Sequence, residues 1–524
     1  MQAWIQAHKL AVFSGKGDIM KSFFARAASV LLSAALIFNA SFGAAEKKTA
    51  SAEAGAVTFV NFPESVNGGE PIRGVDVSSI ISVEKSGVRF YDDRGREEDI
   101  FKILHDHGVN YIRVRIWNEP NDGSGHSYGG GNSDLDTAAE IARRASKYGM
   151  KMLVDIHYSD FWADPEKQTR PKYWAQHSHD VLKGEIYKWT AWVVKVIDEA
   201  GGNIGMVQVG NETNCFFCGE KDMYKICELF ASANKAIRDY DRNILIAHHF
   251  ANPSNADHYL WYAKVMNECK LDYDVFATSY YPYWHGTTQN MTSVLKNIAN
   301  TYNKYVMVAE TAYPYTNEDG DGFGNTISSY SQGIELKYDI SADGQTKALT
   351  DVFQAVADVG EKGLGVFYWE PAWLGEYNVS RQKQRENWEK YGSGWATAYA
   401  SGYDKNAAET GGSSFDNQAL FDFSGHPLSS LDVFSRVYPN KQPSVHYETA
   451  YVGDLNKDGK INVYDLCLLK RVCFAAKSSR MIPKELCDLN ADSEITTADI
   501  VLMQQYLFGR IGSFPAGIKT ELPV

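Results

Sequence analysis

The chain has 524 residues, 44 % of them hydrophobic and 22 % charged. That is the make-up of folded globular domains, roughly three at about 150 residues each, and it excludes wholesale disorder. With 52 basic against 65 acidic side chains the net charge is −13, which repels phosphate backbones and argues against nucleic acid as a partner.

Taken in chain order, the first signal is one of export. Lys21 and Arg26 supply positive charge, Val30–Phe38 is mostly apolar, and Ala40, Ser41, Gly43, Ala44 and Ala45 follow. Charged, apolar and small residues in that order describe a secretory signal peptide over 20–45, starting at Met20, with 1–19 as an upstream extension. Its apolar core is too short to span a bilayer, and no other apolar run approaches about 18 residues. The mature protein is therefore expected to be secreted, extracellular and without a membrane partner.

Eight apolar, strand-like runs come next: Ile72–Val77, Tyr111–Trp117, Lys151–His157, Met206–Asn211, Ile244–His249, Val275–Tyr281, Tyr305–Glu310 and Gly365–Trp369. Amphipathic stretches such as Leu135–Tyr148 and Tyr187–Glu199 lie between them, with apolar residues at helical spacing. Eight strand–helix units predict an α/β fold, a (β/α)8 TIM barrel over 57–439. Polar and aromatic residues gather at the C-terminal ends of the runs: Arg115 and Trp117, Asp155 and His157, Asn211 and Glu212, Tyr280 and Tyr281, Glu310, Trp369 and Glu370. Barrel enzymes build their sites at that face.

Glu212 ends the fourth run and Glu310 the seventh. Two carboxylates over one barrel mouth can hydrolyse a glycoside by double displacement, one protonating the leaving oxygen while the other attacks the anomeric carbon. Arg115 points into the barrel if Val114 and Ile116 point outward. Its charge would then keep Glu310 ionised, with Arg113 the second choice and a buried structural ion pair the alternative for either. His157 and His285 are candidate sugar-contacting groups or satisfied core histidines. Trp284 and Trp395 are stacking platforms or core packing. Asp160, Trp162 and Asp164 line a cleft wall or simply pack a loop.

Past a Pro-containing linker at 440–450, a short motif occurs twice. Asp454-Leu-Asn-Lys-Asp-Gly-Lys-Ile-Asn-Val-Tyr-Asp465 is echoed by Asp488-Leu-Asn-Ala-Asp-Ser-Glu-Ile-Thr-Thr-Ala-Asp499. Oxygen side chains recur at loop positions 1, 3, 5, 9 and 12: Asp454, Asn456, Asp458, Asn462 and Asp465, then Asp488, Asn490, Asp492, Thr496 and Asp499. The carbonyls of Lys460 and Glu494 complete position 7. A hard cation such as Ca²⁺ takes six to eight such oxygens. Each loop runs into an apolar helical stretch, Leu466–Val472 and Ile500–Leu507. Gly459 supplies the bend in the first loop and Ser493 replaces it in the second, which predicts weaker binding there. A small all-α, calcium-binding module is expected over 451–514.

That pair of loops, closed by Asp and lacking an entering helix, resembles a dockerin. The resemblance implies a cohesin of a cellulosome scaffoldin as partner, selected in part by Val463 and Tyr464 and by Thr497 and Ala498. The barrel motifs Gly74-Val-Asp-Val, Arg115-Ile-Trp-Asn118, Asp155-Ile-His-Tyr, Gly210-Asn-Glu212, Ser279-Tyr-Tyr-Pro-Tyr-Trp-His-Gly286, Glu310-Thr-Ala-Tyr-Pro314 and Tyr368-Trp-Glu-Pro-Ala-Trp373 closely resemble glycoside hydrolase family 53. These are endo-β-1,4-galactanases acting on the galactan side chains of pectin and on type I arabinogalactan. The resemblance implies Glu212 as acid/base, Glu310 as nucleophile, Asn211 on the substrate 2-hydroxyl and Trp369 under the cleaved sugar. Against it stand a related barrel glycosidase acting on mannan or xylan, and a non-catalytic carbohydrate-binding barrel.

Two features remain open on sequence alone. Asp319, Asp321 and Asn325 in an acidic, Gly-rich loop could ligate a further Ca²⁺, as in some bacterial relatives, or form a plain turn; Phe323 stands where the pattern often has His. Cys215 and Cys218 have metal or redox spacing. With Cys227 and Cys269 they offer a zinc site, a local disulfide or free thiols.

Overall fold

The computed structural model describes residues 58–523, apart from 64–68, 215, 408, 410, 440–446, 475–481 and 493. The expected signal peptide, Ser493 and Cys215 lie outside the described residues. A short strand β1 (Val60–Phe62) precedes a closed barrel of eight parallel strands in sequence order. These are β2 (Ile72–Asp76), β3 (Tyr111–Ile116), β4 (Lys151–Ile156), β5 (Ile204–Val209), β6 (Leu245–Ala251), β7 (Val275–Ser279), β8 (Tyr305–Thr311) and β9 (Gly363–Trp369). Each coincides with one of the apolar runs. Strands covered on both faces read as near-continuous apolar sequence, and every residue of β9 is buried.

The barrel closes where β9 meets β2, with Ile72 opposite Gly365 and Asp76 opposite Trp369. Gly365 is required at this seam. Its φ is +140°, and a Cβ there would lie 2.1 Å from the Ile72 carbonyl oxygen. The helices follow from their caps and faces. Leu135–Ser146 starts at Asp134, whose carboxylate accepts from the Thr137 N–H at 2.6 Å. It buries Ala138, Ile141, Ala142 and Ala145 and ends with Arg143 and Arg144 at the negative pole of its dipole. The predicted Tyr187–Glu199 helix begins earlier, at His179, capped by Ser178.

Two strands outside the barrel were not expected. β1 pairs in parallel with β10 (Val437–Pro439), Val60 opposite Val437 and Phe62 opposite Pro439. Val60, Phe62 and Val437 are buried in the same core as the barrel.

The C-terminal module has its own core of Leu455, Leu466, Leu469, Leu489, Ile500 and Met503. Its helices span Val463–Phe474 and Thr497–Leu507, with a short turn at Lys484–Cys487 between them. The helices within 451–514 match the expected all-α module, and a two-stranded sheet flanks them in sequence. β11 (Tyr447–Tyr451) pairs antiparallel with β12 (Lys519–Pro523), Tyr451 opposite Lys519. That sheet takes in the end of the expected 440–450 linker and residues beyond 514. Among the described residues no helix is long and apolar enough to cross a membrane.

Candidate active site

Just beyond β5, the turn Gly210–Asn211–Glu212 leaves regular structure. Glu212 has φ +45°, a left-handed conformation rare for residues with a Cβ. It is held there by its neighbours: the Glu212 N–H donates to His249 Nδ1 at 3.3 Å, and its carbonyl accepts from the Asn214 N–H at 2.8 Å. Such strain persists where surrounding bonds over-determine it, and here it sets the direction of a carboxylate. Glu212 is partly exposed, whereas Glu310, next to last in β8, is 6 % exposed.

The floor beneath them is a buried ionic network. Arg113 Nη1 donates to Asp76 Oδ2 at 2.8 Å, and Nη2 lies 2.8 Å from Asp155 Oδ2 and 2.9 Å from Glu310 Oε1. The same guanidinium donates to Asn211 Oδ1 at 2.8 Å and to Gln208 Oε1 at 3.1 Å. Tyr281 O–H donates to Glu310 Oε2 at 3.1 Å. Both oxygens of Glu310 are thus fixed, one by a cation and one by a phenol.

The two carboxyls are electrostatically unequal. Burial and the negative charge of Glu310 push Glu212 well above the usual carboxylate range. Burial also raises Glu310, but the adjacent Arg113 offsets it. Both carboxyls are raised by burial, and of the two only Glu310 has a cation in contact to favour its charged form.

The prediction for the arginines is corrected. Arg115 does not reach Glu310. Its Nη1 donates to Glu370 Oε1 at 2.6 Å, Nη2 to the Gly130 carbonyl at 2.8 Å and Nε to Ser133 Oγ at 3.1 Å. Its guanidinium carbon sits 4.4 Å from the Trp162 ring centroid. Glu370, buried and further held by Ser79 Oγ at 2.6 Å, is pushed up to about 7 chiefly by burial. Arg115 forms a buried structural ion pair with Glu370, and it is Arg113 that contacts Glu310.

His157 is also corrected. Its Nε2 lies 3.0 Å from Asp155 Oδ2, and its Nδ1 accepts from Trp117 Nε1–H at 3.2 Å. With both nitrogens engaged and 2 % of the residue exposed, it orients Asp155 and has no polar atom left for a sugar. His285 is 9 % exposed, and its Nδ1 faces the Tyr281 N–H and the Ser279 carbonyl at the end of β7. Burial pushes it down to about 4, so it is neutral.

Asn211 keeps one useful donor. Its Oδ1 accepts from Arg113 and lies 2.9 Å from His249 Nδ1, and its Nδ2 donates to the Ala163 carbonyl at 2.9 Å. One N–H of that amide remains for a ligand. His249 was not predicted. Burial and Arg113 hold it well below its ordinary value, and its Nε2 meets Ser279 Oγ at 2.9 Å. An isolated polar residue at inward parity, like Gln208 in Val207-Gln-Val209, was the available sequence signal for this group.

Aromatic walls surround the floor. Trp369 packs edge-on against Phe415, 4.7 Å between centroids, and lies 5.7 Å from Trp373. Trp395 stacks on Trp162 at 4.3 Å and 14°, and Trp162 Nε1 donates to the Trp395 carbonyl at 2.9 Å. Trp284, half-buried, meets Tyr281 and Tyr283 edge-on. Asp160 accepts from the Glu119 and Lys172 N–H groups and from Tyr403 O–H, and so pins loops together.

The acidic loop after β8 brings two of the expected residues, Asp319 and Asp321, together with a third carboxylate. Ligand oxygens of Asp319, Asp321 and Asp416 lie within 4.8 Å of one another. Burial and mutual repulsion push Asp321 up to about 7 and Asp416 well above its usual range. Asp416 Oδ1 is buried without a hydrogen-bond partner among the described residues, and so is Asn325 Oδ1. Two orphaned acceptors beside clustered carboxylates fit a hard cation. Asp416 joins the predicted set. Phe323 is turned away from it, packed against Trp388 at 3.9 Å under Arg381.

In the C-terminal module the two loops fold alike. Asp465 Oδ1 accepts from the Leu455 N–H and Oδ2 from the Asn462 N–H. Asp499 repeats this with Leu489 and Thr496, at 2.8 to 2.9 Å throughout. Asp454 and Asp488 each accept from the N–H four residues on, those of Asp458 and Asp492. Gly459 has φ +81°. Both loops therefore present oxygen-rich turns that fit Ca²⁺. Among the cysteines, Cys218 and Cys227 are buried and Cys269 half-buried, all as thiols.

Comparison with known proteins agrees with this geometry. Residues 72–434 match Glycosyl hydrolase family 53, and residues 452–508 match the dockerin type I domain. Over 379 residues the chain is 54 % identical to the endo-beta-1,4-galactanase of Bacillus subtilis (strain 168), covering 72 % of this chain and 88 % of that one. It is 35 % identical to the arabinogalactan endo-beta-1,4-galactanase of Cellvibrio japonicus (strain Ueda107), covering 62 % of this chain and 85 % of the relative. The solved GH53 catalytic domain of Ignisphaera aggregans superposes with a TM-score of 0.64 at 36 % identity, covering 73 % of this chain and all of that one. A closed eight-stranded barrel with Glu212 and Glu310 at the ends of its strands, matched along its length in this way, belongs to glycosyl hydrolase family 53, and the chain carries a dockerin domain at its C-terminal end.

Proposed function

We propose that this protein is a secreted, endo-acting β-1,4-galactanase that works with retention of anomeric configuration and docks through its dockerin to a cohesin of a cellulosome scaffoldin. The observation that carries the catalytic reading is the asymmetry of the two carboxyls, with Arg113 and Tyr281 bound to Glu310 and neither bound to Glu212.

Glu212 donates its proton to the glycosidic oxygen as that bond breaks, and Glu310 Oε attacks the anomeric carbon to give a glycosyl-enzyme ester. Glu212, now a carboxylate, then takes a proton from water, whose oxygen attacks the same carbon and releases Glu310. The free N–H of Asn211 donates to the 2-hydroxyl, and Arg113, by gripping both Asn211 and Glu310, ties sugar position to nucleophile position. Trp369 forms the floor under the cleaved sugar, and Trp284 and Trp395 supply the outer walls. The galactan reading rests on the resemblance to relatives bearing that activity in their names.

Calcium is proposed at three places: in each dockerin loop, and at Asp319, Asp321, Asp416 and Asn325 in the barrel. The ion would cancel the repulsion among buried carboxylates and fix the loop that follows the nucleophile strand.

The test is product analysis on linear β-1,4-galactan, with mannan, xylan and cellulose alongside. Short galacto-oligosaccharides of retained configuration by NMR are expected. Release from another glycan alone would discard the substrate, and inverted products would discard the double displacement. Glu212→Gln and Glu310→Ala are each expected to cut turnover by roughly 10²-fold or more, with circular dichroism unchanged.

A further inference from the structure

Between the loop after β3 and the helix His179–Glu199 lies a cavity of about 260 Å³ whose lining includes none of the residues assigned to the reaction. Asn118 enters it from the loop after β3, Tyr173 from the turn after β4, and Trp189 and Trp192 from the helix His179–Glu199. The two tryptophans are three residues apart and share a helix face. Tyr173 is 67 % and Trp192 52 % exposed, a large apolar surface for water to cover.

Two polar atoms of the lining have no partner among the described residues. Trp189 Nε1, which can only donate, and Asn118 Oδ1, which can only accept, are both buried and unbonded. Native proteins satisfy such groups, so a donor and an acceptor left open beside one cavity call for an explanation. Hydroxyl groups both donate and accept, so a polyhydroxyl ligand matches the chemistry of the two groups. The rim charges are Glu119, Glu185 and Lys188, with Lys188 Nζ 3.0 Å from Glu185 Oε1. The balance is acidic, which disfavours an anionic polymer and leaves a neutral one.

From exposed aromatic faces, open hydroxyl-matching groups and an acidic rim, we infer that this cavity is a second carbohydrate site. It holds a sugar unit of a neutral galactan chain against Trp192 and Tyr173 while another stretch of polymer occupies the barrel mouth. The choice of galactan rests on the proposed function. The site raises the local concentration of polymer at the mouth by tethering, without touching the reacting bond.

The test uses the full chain. The Glu310→Ala protein, which leaves polymer intact, is run through native gels with and without linear β-1,4-galactan, alone and combined with Tyr173→Ala and Trp192→Ala. Loss of the aromatic pair is expected to weaken retardation roughly three- to tenfold, and Trp192→Phe to restore most of it. In the hydrolytic protein, the same pair of changes should raise KM for long galactan by a similar factor. kcat on a short galacto-oligosaccharide and the melting temperature should not move.

Equal retardation with and without the pair would overturn the site and leave water as its occupant. A matching loss on the short substrate would overturn its separateness from the catalytic cleft. A parent protein that galactan does not retard at all would overturn the ligand. Absent galactan hydrolysis by the unaltered chain, with retardation still dependent on Trp192, would discard the proposed function and keep the site.

Discussion

Arg113 and Arg115 differ by one pleat of a single strand, and their roles diverge because of it. Both project inward, as alternation in Tyr-Ile-Arg-Val-Arg-Ile requires. Depth separates them. Arg113 lies beneath the mouth among Asp76, Asp155 and Glu310, while Arg115 is drawn sideways to Glu370 and under Trp162. Parity was legible in the sequence and depth was not, because depth depends on which carboxylates neighbouring strands bring level. Removing Arg113 would leave three buried carboxyls around an empty centre. Arg113→Met is expected to destabilise the fold by about 3–5 kcal/mol, the cost of breaking a buried ion network. Its pH profile carries the sharper test. Arg113 lowers the Glu310 pKa against burial, and the proposed double displacement needs Glu310 ionised. Loss of the cation raises that pKa, so the acidic limb of kcat/KM should move to higher pH in Arg113→Met and much less in Arg113→Lys. An unmoved limb in Arg113→Met would remove Arg113 from the control of the nucleophile.

At the scale of elements, the eight barrel strands could be read because each is long enough, and apolar enough, to stand out from the helices around it. β1 and β10 could not. They have three residues each, too short for any period, and their pairing joins Val60 to Val437. The cation cluster shows the same limit. Asp319 and Asp321 stand out in one loop, but Asp416 comes from a distant segment, where Asp416 Oδ2 accepts from the Gly320 N–H at 2.9 Å. A ligand set assembled from two loops leaves no spacing signature. This cluster gives an element-level expectation. Ca²⁺ should raise the melting temperature of the barrel, by an amount equivalent to about 2.7 kcal/mol at a hundredfold excess over Kd, and a chelator should reverse it. Asp416→Ala should abolish that calcium-dependent shift while leaving the shift of the dockerin transition in place. If Asp416→Ala responded to calcium as the parent does, the cluster would not be the barrel's cation site.

Among the described residues the barrel and the dockerin each have a hydrophobic core, with a small satellite cluster of Ala450 and Leu486. The barrel core runs from Val60 to Val437, and the dockerin core from Val452 to Phe514, with no residue in common. Among the described residues, therefore, no buried side chain belongs both to the dockerin core and to the core around Arg113. Asp465 and Asp499 are fully buried at the starts of the dockerin helices, each bonded to backbone N–H groups at both ends of its loop. Replacing them removes the loop closures together with the proposed calcium ligands. The Asp465→Ala, Asp499→Ala double variant of the full chain is expected to lose the calcium-dependent part of its helical circular dichroism and its capture by an immobilised cohesin. Its kcat/KM on soluble galactan should stay within about twofold of the parent, since distant sites without shared partners behave additively. A comparable fall in hydrolysis would show that the dockerin supports the barrel as well as docking it. Retained, calcium-independent cohesin capture would instead remove the two loops from the docking surface. Under the proposed function, a scaffold would carry the hydrolase without any change at Glu212 or Glu310, because recognition and chemistry would draw on carboxylates in different cores.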